Sequence, residues 1–114
     1  MNYKVTAEEG LREMLHQGEY PFAVMMKHGT MTIEYFAPQE VDEQTPHKQD
    51  EIYVIIKGHG TLYRDGKRIS CKKNDVLFVP AGMEHYFENF SDDFATWVIF
   101  YGPEGGEDED VEGQ

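Results

Sequence analysis

The chain has 114 residues, enough for one domain that buries about two thirds of its unfolded surface. Hydrophobic content of 39% and aromatic content of 13% exclude a disordered polymer, and no run approaches the ~18 apolar residues of a membrane span. A formal net charge of -12 repels phosphate backbones and anionic lipid, which excludes nucleic acid and membrane surfaces as partners.

Thr6-Ala7-Glu8-Glu9 has the form of a capping box. Leu11, Met14 and Leu15 then fall on one face of a helix over about 7–17, and Gly18 stops it. This helix is expected to lie across the mouth or an edge of the β-fold that follows. Glu8, Glu9, Arg12 and Glu13 also interrupt any apolar signal core. Residues 22–27 and 31–37 alternate and are rich in β-branched and aromatic side chains, so they form a hairpin about His28-Gly29-Thr30. Met25, Met26 and Met31 read as core filler. Residues 38–46 form a polar, acidic loop bounded by prolines.

In 50–57, Glu51, Tyr53 and Ile55 take one face of a strand, and Ile52, Val54 and Ile56 the other. Apolar content on both faces predicts a strand covered on both sides. Gly58 and Gly60 bracket His59 in a bend, and Arg64-Asp65-Gly66-Lys67 joins strands 61–63 and 68–71 in a hairpin. Cys71 is a lone cysteine without an internal disulfide partner. It reads as a small packing residue, and cytoplasmic residence is the expectation. A short apolar strand, 76–79, turns through Pro80-Ala81-Gly82 into a strand over 85–88, and 95–101 is a last strand. Many short strands with closely spaced turns predict an all-β sandwich or barrel. Residues 1–103 read as one domain. Residues 104–114 carry six acids, which leaves -6 for the body, and read as an acidic, disordered tail.

Two stretches carry chemistry. In the first, His47 is followed after three residues by Glu51, and Gly58 follows after six more. In the second, Pro80, Gly82, His85 and Asn89 stand in the order P-x-G-x-x-H-x-x-x-N. Both resemble the paired motifs of the cupin superfamily. The first of these is H-x-H, three or four residues, Glu, six residues, Gly. The second is Gly, five residues, then P-x-G-x-x-H-x-x-x-N. The resemblance implies a small single-domain cupin, a double-stranded β-helix or jelly-roll barrel with a short N-terminal helix, assembled as a homodimer. Two departures are plain. Thr45 stands where the family has its first histidine, and Asn74 where the second motif has its leading glycine. Asparagine still enters the left-handed region that glycine uses there.

The resemblance implies a metal held by His47, Glu51 and His85. Two imidazoles and one carboxylate leave coordination positions open and suit Fe, Mn, Ni, Co or Zn. Gln44 and Gln49 carry further oxygens, but at spacings foreign to the motif. The substrate pocket is expected in the barrel interior, among Tyr53, Phe78, Phe87, Val98 and Phe100, with Thr45 and Gln49 beside it. Tyr53 or Gln49 would position substrate. The function expected is metal-dependent oxygenation or isomerisation of a small molecule. The alternatives are a small-ligand binding or sensor module without turnover, and a scaffold whose barrel is filled with side chains. No catalytic residue is assigned.

Overall fold

A computed structural model describes residues 3–108. Helix α1 (Ala7–Gln17) starts at the capping box. The Thr6 hydroxyl accepts the Glu9 N–H at 3.1 Å, and the Glu9 carboxylate accepts the Thr6 N–H at 2.9 Å. Gly18, at φ 72, ends the helix by donating its N–H to the Met14 carbonyl.

Among the described residues eight strands follow: β1 (Phe22–His28), β2 (Met31–Phe36), β3 (Asp50–Lys57), β4 (His59–Arg64), β5 (Lys67–Lys72), β6 (Val76–Val79), β7 (His85–Glu88) and β8 (Ala95–Tyr101). They form a five-stranded sheet in the order β1-β2-β8-β3-β6 and a three-stranded sheet in the order β5-β4-β7, with antiparallel pairing throughout. The result is a jelly-roll-like all-β fold with one short helix ahead of it. Asp65 and Gly66 both adopt positive φ in the tight turn between β4 and β5, as the Asp-Gly pair predicts.

Register decides what points inward. Glu51, Tyr53 and Ile55 of β3 pair with Phe100, Val98 and Thr96 of β8, which pair in turn with Thr32, Glu34 and Phe36 of β2. These rows share one face of the large sheet. Tyr53, Ile55, Val79 and Val98 meet Leu62, Cys71 and Phe87 of the small sheet in the main core, with Phe36 and Phe94. Glu51 is therefore an acid carried into the interior by a strand whose neighbouring inward side chains are apolar.

The opposite face of the large sheet carries a second core. Met14 of α1 packs there with Ala23, Tyr35, Ala37 and Ala95, flanked by Leu11, Met25, Ile56 and Trp97. A Cβ on Gly10 would stand 2.6 Å from the Tyr35 ring, so the missing side chain lets the helix backbone approach the sheet. The helix thus lies on the outer face over the β1–β2 edge and not across the mouth.

Two expectations need correction. The outer side of β3 is only partly covered: Ile56 reaches the second core, while Ile52 and Val54 remain half-buried. Phe78, expected inside the barrel, pairs with Ile52 on the outer row and is 46% exposed. Leu77 and Val79 face inward in its place. The four residues of β6 are all apolar, so their sequence has no alternation to mark the face. Burial at β6 is set by the pairing with β3.

Candidate metal centre

His47 lies in the loop before β3, Glu51 is the second residue of β3, and His85 opens β7. Backbone contacts bring the three segments together. Gly82, at φ 78, donates its N–H to the His47 carbonyl at 2.8 Å. The buried Asp50 carboxylate accepts the Ala81 N–H and the Glu107 N–H, both at 2.9 Å. Gly105 donates to the Lys48 carbonyl at 2.7 Å. The Pro80-Ala81-Gly82 turn is pinned in this way to the stretch that carries His47 and Glu51. Residues 104–107 of the acidic segment run beside it; residues 109–114 lie outside the described residues.

One donor atom from each of His47, Glu51 and His85 lies within 4.8 Å of the others. Glu51 and His85 are each 1% exposed. His85 Nδ1 stands 2.8 Å from the Met83 carbonyl. A carbonyl can only accept, so Nδ1 carries the hydrogen and a neutral ring turns its Nε2 lone pair to the interior. That Nε2 is 2.7 Å from Glu51 Oε1. Yet His85 Nε2 and both Glu51 oxygens lack a hydrogen bond of acceptable direction. Two acceptors facing each other without water need a proton or a cation between them. The donor set therefore fits a divalent transition metal.

The neighbouring groups feel the same burial. Desolvation lowers the His47 pKa, with the Glu51 charge opposing. For His85 burial also favours the neutral ring, but the Glu51 carboxylate outweighs it and the pKa is raised. Burial and then Glu51 hold the Tyr53 phenol well above its usual value, so it stays protonated. The His47 ring packs edge-on against Phe100 at 4.9 Å and lies 5.1 Å from the His85 ring.

Of the residues expected to line a pocket, Tyr53, Phe87 and Phe100 surround this centre. The Tyr53 ring is 6.2 Å from His85 and 4.8 Å from Phe87. Thr45 is exposed. Gln49 turns away, donating to the carbonyls of Thr30 and Gly102 at 2.8 and 2.9 Å, where it ties the β1–β2 turn to the end of β8. Below the centre the interior is packed by the main core. An opening of about 350 Å³ borders His47, between Pro46, Lys48, Gly82 and Glu104.

Besides Asp50, the buried Asp42 and the half-buried Glu34 escaped the motif reading. Asp42 sits in a loop without periodicity, and its burial follows from contacts that sequence does not show. Glu34 had a legible signal, since alternation along β2 puts it on the face of Thr32 and Phe36. Burial raises the Glu34 carboxyl from 4.5 to about 7, Glu51 adds to the rise, and Lys27 opposes it. The folded protein then binds this proton more tightly than the unfolded chain. Stability is lost as pH rises from 4.5 to about 7. Glu34→Gln is expected to remove ~1–2 kcal/mol of that loss, a figure discounted for partial exposure. In chelator, the variant should melt closest to wild type at about pH 4, below the unfolded carboxyl's range, and above it at about pH 8. Parallel melting curves at both pH values would refute the assignment.

A family model described as Cupin domain matches residues 32–101. An uncharacterized protein of Streptomyces coelicolor is 35% identical over 63 residues, covering 55% of this chain and 60% of the relative. An acireductone dioxygenase of Pseudomonas savastanoi pv. phaseolicola is 31% identical over 98 residues, covering 72% of this chain and 54% of the relative. The chain thus spans little more than half the length of these two curated relatives. Among solved structures, a Cupin 2 conserved barrel domain protein from Salinispora arenicola superposes with a TM-score of 0.65 at 20% identity, over 90% of this chain and 89% of that one.

Proposed function

Because the chain belongs to the cupin family, we propose that it is a metal-dependent enzyme of the oxygenase type acting on a small molecule. His47, Glu51 and His85 would hold the metal, one of Fe, Mn, Ni, Co or Zn. The observation that carries this reading is the pair of buried Glu51 oxygens beside His85 Nε2, one of them at 2.7 Å, all without a hydrogen bond of acceptable direction. The likeness to acireductone dioxygenases supports oxygen chemistry over isomerisation. When bound, such a metal supplies Lewis acidity and open positions for ligands.

The chain's own residues set the rest. The Met83 carbonyl holds His85 in one tautomer. Phe100 fixes the tilt of the His47 ring. Tyr53, kept protonated by burial, donates its hydrogen to Gln44 Oε1 at 3.1 Å and does not take a proton from a ligand. Glu34, its carboxyl raised to about 7, lies on the inward face of β2 in the same sheet as Glu51 and can hold or return a proton there. A non-catalytic ligand-binding module is the second reading, favoured by the exposure of Thr45, which leaves the motif one donor short. A homodimer belongs to the same proposal. Its support is the outer apolar row of Ile52, Val54, Val76 and Phe78, which α1 does not cover. Cytoplasmic residence and a single domain over 1–103 belong to it as well.

Elemental analysis of the purified protein tests the reading, with His47→Ala and His85→Ala beside it. The expected result is about one transition metal per chain in wild type, lost in both variants. Oxygen uptake with an acireductone is the first reaction to assay. No metal after reconstitution would sink the enzyme reading in favour of the binding module.

A further inference from the structure

Asp42 and Gln44 lie outside both motifs. The Asp42 carboxylate accepts the Phe87 backbone N–H at 2.8 Å, the Gln44 backbone N–H at 3.2 Å and the Gln44 side-chain N–H at 2.6 Å. A carboxylate that receives three donors is an acceptor only. It draws the nitrogen end of the Gln44 amide toward itself and turns the oxygen away, which fixes the choice between the two amide orientations. That oxygen stands 3.1 Å from His47 Nε2 and 3.1 Å from the Tyr53 hydroxyl, beside the candidate centre. Two donors bound to one metal at about 2.1 Å and at right angles are about 3 Å apart.

We propose that Gln44 Oε1 is a fourth donor to the metal held by His47, Glu51 and His85, in place of the imidazole that Thr45 does not provide. The proposal rests on the metal-centre reading above. Without metal, the amide oxygen accepts a hydrogen from His47 Nε2. A ligating imidazole nitrogen is unprotonated, so with a metal bound the His47 Nε2 and Gln44 Oε1 lone pairs would lie side by side. The Tyr53 hydroxyl and Asp42 hold the amide from either end, so the donor is oriented before any ion arrives. Asp42 is in turn fixed by the backbone of β7, the strand that carries His85. Gln44 is thus built into the centre through a buried acid. The motif spacing does not reveal this, since it runs forward from His47 whereas Gln44 stands three residues before it.

The test loads wild type, Gln44→Ala and Gln49→Ala with Mn(II). It measures affinity by chelator competition and counts inner-sphere water by proton relaxivity. Gln44→Ala is expected to bind about tenfold more weakly or worse, with one additional metal-bound water. Gln49→Ala should match wild type in both. If Gln44→Ala fails to fold in chelator, Gln44→Met, which keeps the bulk without the oxygen, carries the same expectation. Unchanged affinity and water count in the Gln44 variants, while His85→Ala loses the metal, would overturn this proposal and leave the three-residue centre standing. Wild type that binds none of Mn(II), Co(II) or Zn(II) would overturn both.

Discussion

Glu51→Gln is expected to weaken metal binding by more than ~100-fold and, in chelator, to melt roughly 5–10 °C above wild type. The two effects have one origin. Glu51 is the anionic donor of the set, and loss of a direct ligand exceeds the 10–100-fold typical of groups one step removed. Without metal the same carboxylate is a liability. Both its oxygens are buried without a hydrogen bond of acceptable direction, and one stands 2.7 Å from His85 Nε2. A glutamine there carries no charge and can donate an N–H to His85 Nε2, which relieves ~1–3 kcal/mol of unpaired polar burial. Calorimetry with and without metal reads both halves. Wild type should gain stability on loading and the variant should not respond. A variant less stable than wild type in chelator would mean that Glu51 is already satisfied, and the centre would lose its main physical support.

Phe87→Ala should cost about 3–5 kcal/mol, against less than ~1 kcal/mol for Phe78→Ala. Phe87 is fully buried. It packs on Tyr53 at 4.8 Å and Phe94 at 4.9 Å, and it touches the main core from the small sheet. Truncation leaves a cavity at the meeting point of the two sheets, and it leaves intact the backbone N–H that holds Asp42. A loss of that size is a large fraction of the ~5–15 kcal/mol that a domain possesses. Phe78 is the contrast, half in solvent on the outer row. Denaturant midpoints of the two variants check the face assignment. Equal losses would mean that β6 presents Phe78 to the core after all.

The parts of this protein that sequence made legible are those governed by local rules. The capping box at Thr6, the stop at Gly18, the Asp-Gly turn and the alternation along 50–57 each depend on neighbours within a few residues. His47, Glu51 and His85 were readable through the resemblance of their spacing to the cupin motifs, and the fold brings a donor atom of each within 4.8 Å of the others. Legibility ended where burial depends on a distant partner. Phe78 lies in a strand too short and too uniformly apolar to declare a face. Gln49 points away because Thr30 and Gly102, far along the chain, offer carbonyls to its amide. Asp42 is buried by Phe87, 45 residues downstream. Thr45 looked important because it occupies a ligand's position in the motif, yet the amide oxygen 3.1 Å from His47 belongs to Gln44, one residue earlier.

The order β1-β2-β8-β3-β6 also bears on how the chain is made. β8 fits between β2 and β3, so the last strand among the described residues is the one that joins the β1–β2 hairpin to the strand of Glu51. At about 5–20 residues per second, the ~45 residues between the end of β3 and the end of β8 take roughly 2–9 s to emerge. Through that interval β3, with Ile52, Val54, Ile55 and Ile56, lacks the neighbour that later covers one edge. An apolar strand with an open edge is a template for pairing with other chains. The nascent β3 is therefore most exposed to aggregation just before β8 appears, and growth at lower temperature or with holdase chaperones should raise the soluble yield.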